Sequence, residues 1–446
     1  MMKKIYLFFI LTGFLASCES FLDEKPVNLI TTDQVIIDES SAQTAVLGIY
    51  SRLQIDNMYG NDLVTLPGVA SDEFVHSGSF PTIAEVDDNS ISSNNVTVSG
   101  PWLSGYTGIF QCNNVIEIVE GNENLPGFTP ETRNEVLGQA RFLRALFHFN
   151  LTNMFGPVPL ITTTDLEVTS NVSRTSRADV LSFVLTETRA AAAELENVDF
   201  GNQNQFRATY WAAKALEARV LLYQGNLGDA GLVANEIIES GEFSLADSYS
   251  DLFEPGPVVN DEIIFSIFFS AADQNGIAFQ FLPAGRFEFA ASPQLEAALT
   301  ADANDERASL IAVNEGDAVG RSYINKYTDV STGTDGFIVF RLAEMYLIRA
   351  EANLATAGAL ADINALRTRA GAAPLATSVT TDIVLEERFR ELFAEGHRWF
   401  DLIRTDNAVS TMTAINPTFN ADDTLFPVPN RDILQNPNLL PQNSGY

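Results

Sequence analysis

The stretch from Phe337 to Gly371 constrains the fold more than any other part of the chain, because its pattern indicates two antiparallel helices joined by a tight turn. At 100° per residue, Arg341, Glu344 and Glu351 share a narrow polar stripe of the first helix, and apolar side chains cover most of the remainder. The second helix ends at Gly371, a common helix terminator. Tetratricopeptide repeats have a unit of about 34 residues. The sequence therefore predicts a mainly α-helical protein built from stacked hairpins.

Helical patterning recurs along much of the chain. It begins near Glu39 and is clearest in five further segments: 102–120, 129–155, a helix from about 176, the hairpin at 208–240, and 381–394. Two of these segments place small and large residues at the same spacing: Ala140, Leu143 and Ala145 in one, Ala213, Leu216 and Ala218 in the other. Small residues at such positions let helices approach closely, so we expect the hairpins to stack.

Two stretches break the helical pattern. Residues 58–100 are rich in Gly, Ser, Asn and Asp, which predicts a long loop region. Within 255–335, the run Glu262–Ser270 is short, β-branched and aromatic and predicts a strand, and a segment dense in Gly, Phe and Pro follows it. We interpret both stretches as insertions with little β structure on a single helical domain spanning 34–446.

The N-terminus has the pattern of a targeting signal. Lys3 and Lys4 precede an apolar run at 5–15 that is too short to span a bilayer, and a small-residue site ends in Cys18. This resembles a bacterial lipoprotein signal, although an ordinary secretory signal with a chance cysteine is the alternative. The resemblance implies a signal peptide at 1–17, lipidation of Cys18, a tether at 18–33 and anchoring to a membrane that the protein does not span.

The charge balance excludes one class of partner. The chain has 26 basic and 58 acidic residues, a formal charge of −32. Nucleic-acid binding requires a basic face, so we expect no nucleic-acid partner. The acidic balance also favours a neutral ligand over an anionic polymer, with Arg286, Arg321 and Lys326 as the exceptions that could reverse this preference.

Several stretches together resemble the SusD/RagB family of surface glycan-binding lipoproteins. They occur in the family's order: CESFLDEKP at 18–26, QARFLRALFHFNLTNMFGPVP at 139–159, the hairpin at 341–371, EERFRELFAEGHRWFDLIR at 386–404, and FPVPNR at 426–431. The resemblance implies tetratricopeptide-like helix pairs and an irregular face that binds an oligo- or polysaccharide. It also implies a SusC-like TonB-dependent transporter as partner, an outer-membrane, cell-surface location in Bacteroidota, and no catalysis.

A glycan site needs exposed aromatic rings flanked by polar groups that fix the sugar's orientation. Trp211 and Trp399 lie in helical segments and are expected in the core, and Trp102 has a spacing that suits packing, although we retain it as a candidate. The two irregular stretches supply the other candidates: Asp72, His76, Phe80 and Asn94 from the first, and Phe279, Phe281, Arg286 and Phe287 from the second. We expect the two stretches to converge into one aromatic cleft. The alternative is that the phenylalanines simply cover the core.

Two other functions were weighed. Glu386, Glu387, Glu391 and Glu395 could indicate a glycoside hydrolase with paired carboxylates, but neighbouring arginines favour ion pairs, and no catalytic motif occurs in the sequence. A tetratricopeptide-type scaffold that binds peptides or proteins at the outer membrane is the main alternative. Acidic runs at 87–95 and 329–335 do not match a calcium-loop spacing, so we expect no metal and no cofactor.

Overall fold

A computed structural model describes residues 36–446. The predicted signal peptide, Cys18 and the tether at 18–33 lie outside the described residues. From residue 36 onward the helices, numbered in chain order, are α1 Glu39–Gln54, α2 Asp62–Ala70, α3 Pro81–Asp87, α4 Val96–Gly121, α5 Pro130–Phe155, α6 Leu166–Thr169, α7 Arg177–Leu195, α8 Tyr210–Tyr223, α9 Leu227–Glu239, α10 Ile277–Phe281, α11 Pro293–Leu299, α12 Leu342–Ala352, α13 Ala357–Arg369, α14 Thr381–Glu391, α15 Arg398–Arg404, α16 Ala408–Met412 and α17 Asn430–Gln435.

The strands are short and pair only two by two in the part of the chain that the structure describes. They are β1 Phe74–His76, β2 Val158–Pro159, β3 Arg174–Thr175, β4 Ile263–Ile267, β5 Phe289–Ala291, β6 Ile311–Val313, β7 Ser322–Ile324 and β8 Phe337–Arg341. The pairs are β1 with β5, β2 with β3, β4 with β8 and β6 with β7, all antiparallel. This confirms the predicted mainly α fold with little β structure.

The body is a stack in which each helix packs on the next, in the order α4, α5, α7, α8, α9, α12 and α13. Small residues make the close contacts. A Cβ at Gly231 of α9 would lie 2.5 Å from the Cβ of Ala352 in α12, and one at Gly138 of α5 would lie 2.5 Å from Leu195 in α7. Real Cβ atoms do not approach so closely, so the glycines set the spacing between these helices. Among residues 36–446, no helix is long and apolar enough to cross a membrane.

The stretch from Phe337 to Gly371 begins with a strand, not a helix. Residues 337–341 form β8, which pairs with β4, and helix α12 starts only at Leu342. Both strands are buried along their whole length. A strand buried on both faces is apolar at nearly every position, so periodicity alone does not separate it from a buried helix. The strand predicted at 262–270 is confirmed as β4.

The prediction of a long loop at 58–100 is wrong. This stretch contains α2, β1, α3 and the start of α4, which begins at Val96 and not at Trp102. Every residue of α2 is buried, although Pro67 lies inside it. Helix α4 is capped by Asn95, whose side chain accepts hydrogen bonds from the backbone N–H groups of Thr97 and Val98. Tertiary burial and a cap therefore override a polar, glycine-rich composition.

The polar stripe formed by Arg341, at the end of β8, and by Glu344 and Glu351 of α12 is buried and paired. Arg341 is 1% exposed and lies 2.6 Å from Glu391, 2.8 Å from Glu395 and 2.9 Å from Glu262. Arg369 also pairs with Glu262 and Glu391. We call these five residues the Arg341 cluster. Burial alone would raise the pKa of Glu391, but the surrounding guanidinium groups hold that pKa well below its usual range.

The same stripe continues through two further buried pairs. Glu344 pairs with Arg219 of α8 at 2.6 Å, and Glu351 pairs with Arg404 of α15 at 2.6 Å. On α14, Glu387 pairs with the buried Arg307 at 2.7 Å. The expectation that the glutamates of 386–395 serve in ion pairs is confirmed for those that are buried. Their partners at less than 3 Å are distant in sequence, such as Arg307 and Arg341, and are not the neighbouring arginines that the spacing indicated.

Candidate functional site

Two segments more than 200 residues apart meet at one surface. Strand β1 pairs antiparallel with β5, with Phe74 opposite Ala291 and His76 opposite Phe289. The loop after β1 therefore lies beside the loop before β5, and these are the segments in which the sequence placed most of the candidate ligand contacts. The two segments converge as predicted, and that they form an aromatic cleft stays a prediction. Contact with a ligand remains a prediction.

Glu288 organises this surface. Its side chain is 2% exposed, and Oε1 accepts hydrogen bonds from the backbone N–H groups of Ser79 at 3.1 Å and Phe80 at 2.9 Å. His76 Nε2 lies 2.8 Å from the same oxygen, and Arg286 Nε donates to Oε2 at 3.0 Å. Burial would raise the pKa of Glu288, but these donors lower it below its usual range. We call these five residues the Glu288 hub.

The loop after β1 is packed tightly against the hub. A Cβ at Gly78 would lie 2.1 Å from the Glu288 carboxylate, so only glycine fits there. The Ser77 hydroxyl donates to the Phe287 carbonyl at 2.7 Å, and Phe287 has a φ of +51°. Because Glu288, Gly78 and Ser77 fix the backbone on both sides, the hub presents its outer side chains from a rigid base.

The outer side chains of the hub are an aromatic ring and a guanidinium group. Phe80 is 39% exposed, and the Arg286 guanidinium carbon lies 3.6 Å from the centre of its ring. The Arg286 side chain is 40% exposed. Phe279, which is 45% exposed, is joined to the same turn because its carbonyl accepts a hydrogen bond from Arg286 N at 2.6 Å. Phe80, Phe279 and Arg286 thus form an exposed aromatic and cationic rim.

The cations considered as sites for an anionic ligand are each paired with a carboxylate. Arg286 pairs with Glu288, and Arg321 pairs with Asp317 at 2.9 Å. Lys326 is buried and lies 2.7 Å from Glu395, and burial lowers its pKa to about 8. The surface around the hub therefore carries no excess of positive charge from these three residues.

Three predicted contacts are withdrawn because their side chains are buried. Asp72 is held by Arg398 at 2.6 Å. The Trp102 ring meets that of Phe155 edge to face at 5.1 Å, inside the core. Phe281 is completely buried and packs on Phe74 and Phe289. For Phe281, the alternative that alternating phenylalanines cover the core is the correct one.

Two other candidates remain at the periphery. Phe287 is half-buried behind the hub. Asn94 is exposed and accepts a hydrogen bond from Asn430, which joins it to the C-terminal segment. The sequence interpretation did not single out Glu288, which lies in a run of phenylalanines. Its importance follows only from the pairing of β1 with β5, and nothing in the local pattern could have indicated it.

Comparison with known proteins establishes the relationship. A model described as "SusD family" matches residues 304–446, and one described as "Starch-binding associating with outer membrane" matches residues 20–222. The SusD-like protein P25 of Formosa agariphila is 27% identical over 99% of this chain and 98% of its own. The chain belongs to the SusD/RagB family.

Two further proteins are similar to parts of the chain or to its fold. The starch-binding protein SusD of Bacteroides thetaiotaomicron is 37% identical, but only over 24% of this chain and 21% of its own. A solved structure described as a laminarin-binding SusD-like protein superimposes with a TM-score of 0.82 at 24% identity, covering 92% of this chain and all of that one. At that identity the likeness shows the SusD-like fold.

The SusD/RagB family models leave the second half of the hub unmatched. Arg286 and Glu288 lie between the two matched ranges, whereas His76, Ser79 and Phe80 lie within the first. The helices in the N-terminal and C-terminal parts of the chain thus carry the sequence pattern of the family. The rim combines a residue from a matched range with residues from the unmatched one.

Proposed function

We propose that this chain is a surface glycan-binding lipoprotein that captures an oligo- or polysaccharide and delivers it to a SusC-like TonB-dependent transporter, without catalysing a reaction. The observation that carries the proposal is the exposed stack of Phe80 and Arg286 on the rigid Glu288 hub, in a chain of the SusD/RagB family. The proposal includes an anchor at Cys18, a tether at 18–33 and a single domain over 34–446.

The chemistry of the rim suits a sugar ring. The faces of Phe80 and Phe279 can pack against the C–H face of a pyranose, and the free N–H groups of Arg286 can donate to its hydroxyls. Because Glu288 fixes Arg286 and the backbone of Phe80, less conformational entropy is lost on binding than from a mobile loop. This supports recognition by a small number of preorganised groups.

A neutral glycan fits the rim better than an anionic one. Arg286 and Arg321 are both already paired, with Glu288 and Asp317. The formal charge of −32 would also repel a long anionic polymer. Since one structural neighbour is described as laminarin-binding, the neutral glucan laminarin is a suitable first ligand to test.

The acids beside the rim support binding without catalysis. A glycosidase needs two carboxylates that face one bond, one of them able to donate a proton. Glu288 accepts from four donors, and its pKa is lowered, so it is a poor general acid. Asp317 is held by Arg321, and the glutamates of α14 that face the core are buried in ion pairs.

The first test is retardation of the protein lacking residues 1–17 in native gels containing laminarin, starch, a fructan or alginate. We expect one neutral polymer to retard it, and we expect Phe80→Ala and Phe279→Ala to weaken retention about tenfold or more, since each removes an aromatic platform. Phe268→Ala is the matched control, because Phe268 is similarly exposed, at 44%, and lies outside the hub. Equal retention by Phe80→Ala and the control would remove the hub from consideration.

The transporter is tested separately. The full-length lipoprotein is purified from outer membranes in mild detergent, with Cys18→Ala as the variant that should lose the anchor. We expect a large outer-membrane protein to co-purify with the anchored chain. Failure to co-purify would contradict the delivery step and leave glycan binding standing on the gel result.

A further inference from the structure

A second aromatic cavity lies on the helical stack, away from the hub. It has a volume of about 490 Å³ and is formed by the segment that connects α7 to α8, the start of α8, the segment after α9, and β4. The Trp211 ring meets Tyr210 at 4.9 Å and Phe243 at 6.2 Å, both edge to face. Volumes of 300–1,000 Å³ are typical of sites for small ligands.

Trp211 is the accessible tryptophan of this protein. The chain has three, and Trp102 and Trp399 are both buried. The sequence pattern predicted that Trp211 belongs to the core, but the structure places it half-buried at the wall of the cavity. Large aromatic rings left partly open inside a concave site are typical of ligand recognition.

The polar groups of the cavity are mainly acceptors. The residues that line it include Glu196, Asp199 and Glu242, and no lysine or arginine of the described residues is among them. Asn204 uses its amide to donate to Asp199, and Gln205 exchanges two hydrogen bonds with the backbone of Asn260. No donor from residues 36–446 reaches the carboxylates of Glu196 or Glu242.

We propose that this cavity binds a protonated amino sugar. An ammonium group has only donors and a positive charge, so it complements a lining of carboxylates and aromatic faces. The sugar ring supplies an apolar face for Trp211. A neutral sugar would desolvate Glu196 and Glu242 without a compensating charge. A concave cavity of about 490 Å³ suits one or two sugar rings better than an extended peptide, which needs a groove.

The site is independent of the hub. The hub is built on β1 and β5, whereas the cavity uses α7, α8 and β4. A ligand could therefore occupy one without the other, and loss of binding at Phe80 should leave the cavity intact. Binding of an amino sugar at the cavity does not require that the hub binds glycan.

The test is a titration of tryptophan fluorescence with two matched disaccharides. Deacetylated chitobiose and cellobiose are both β-1,4-linked disaccharides. The first carries amino groups where the second carries hydroxyl groups. At pH 6 we expect deacetylated chitobiose to give a saturable change in emission, and cellobiose to bind at least about tenfold more weakly. The change should vanish in Trp211→Phe and persist in Phe80→Ala.

Charge is tested by variants that keep the shape of the cavity. Glu242→Gln and Glu196→Gln change exposed side chains, so we expect them to fold normally. Each should weaken chitobiose binding about fivefold, and 0.5 M NaCl should weaken it further, because salt screens ion pairs. Cellobiose binding as tightly as chitobiose, no saturable signal, or tighter binding of a lysine tetrapeptide would each overturn the proposal.

Discussion

Both the Arg341 cluster and the Glu288 hub contain arginine–glutamate pairs, but the arginine is buried in the cluster and exposed in the hub. In the cluster, Arg341 is 1% exposed and three glutamates surround it. In the hub, Glu288 is equally buried, but its partner Arg286 is 40% exposed. The charges of the cluster are paired within the core, with Arg307 and Lys326 adding to the pairs at Glu391 and Glu395. The hub buries only the acid and leaves the guanidinium face and the Phe80 ring open to a ligand.

This difference separates the structural role of Arg341 from the binding role proposed for Arg286. A buried guanidinium has lost its water, so every donor must find a protein partner, and removing it strands the acids around it. An exposed guanidinium keeps part of its hydration and can exchange it for ligand hydroxyls. Burial of the cation, more than the ion pair itself, therefore distinguishes an arginine that serves the fold from one that is available to a ligand.

The largest expected effect comes from Arg341→Met. This change leaves Glu262, Glu391 and Glu395 in the core without their shared partner, and we expect it to lower the free energy of unfolding by about 3–5 kcal/mol. Chemical denaturation measured by circular dichroism checks this. Arg286→Met is the matched variant at the hub and should cost less than about 1 kcal/mol. Equal costs at the two arginines would contradict the comparison.

Glu288→Gln tests whether the hub acts through preorganisation. The amide keeps one acceptor but loses its charge, so the hydrogen bonds from His76, Phe80 and Arg286 weaken. We expect about 1–2 kcal/mol of lost stability and about a fivefold loss of affinity for the glycan identified in the gels, measured by calorimetry. Asp317→Asn, which changes the neighbouring pair with Arg321, is the control. An affinity unchanged by Glu288→Gln would show that the hub does not position the rim.

Glu73 links the two regions, because it directly precedes β1 and one of its oxygens accepts from Ala394 N at 2.8 Å. Burial raises the pKa of Glu73 from 4.5 to about 8. The folded chain therefore holds a proton that the unfolded chain releases between those two values. Since the native state binds more protons in that window, stability falls as pH rises through it.

Glu73→Gln should flatten this dependence. The variant cannot ionise, so we expect it to be more stable than the parent by about 1 kcal/mol or more at pH 9, and to show a smaller decline in melting temperature between pH 5 and pH 8. The exposed Glu167→Gln serves as control and should leave the slope unchanged. If the melting temperatures of Glu73→Gln and the parent fell in parallel as pH rises, the raised pKa of Glu73 would be refuted.

The smallest expected effect is that of Arg286→Lys. Lysine keeps the charge near Glu288 but lacks the planar group that stacks on Phe80. We expect the free energy of unfolding to change by less than about 0.5 kcal/mol and glycan affinity to fall about two- to threefold, measured in the same calorimetric series. A tenfold loss would mean that the flat guanidinium contacts the sugar more extensively than the rim suggests.

The sequence predicted the helical stack well because its signals are local. The hairpin at 208–240 and the helix at 129–155 agree with α8, α9 and α5. Spacing indicated ion pairs for the glutamates of 386–395 but not their partners, since Glu387 pairs with the distant Arg307. The stretch at 337–341 was misassigned because a strand buried on both faces has no helical or alternating pattern. The helices at 62–70 and 81–87 were missed because burial against the rest of the fold, and not composition or a side-chain cap, stabilises them.

The site was less predictable because it depends on contacts between distant segments. Phe80, His76 and Arg286 were found from composition, since exposed aromatic and polar residues cluster in irregular stretches. Composition does not distinguish Phe279, which is exposed, from Phe281, which is buried two residues later. Glu288 becomes recognisable only when β5 is placed beside β1.

Gly78 limits how such a protein can diversify. With the Glu288 carboxylate 2.1 Å from the position of a Cβ, any substitution there would have to displace the hub itself. On the proposed function, changes of ligand preference are therefore confined to the outer positions, such as 80, 279 and 286, where a new side chain meets solvent. Gly78 and Glu288, at the base of the site, have to be kept together, whereas the residues of the rim can be replaced one at a time.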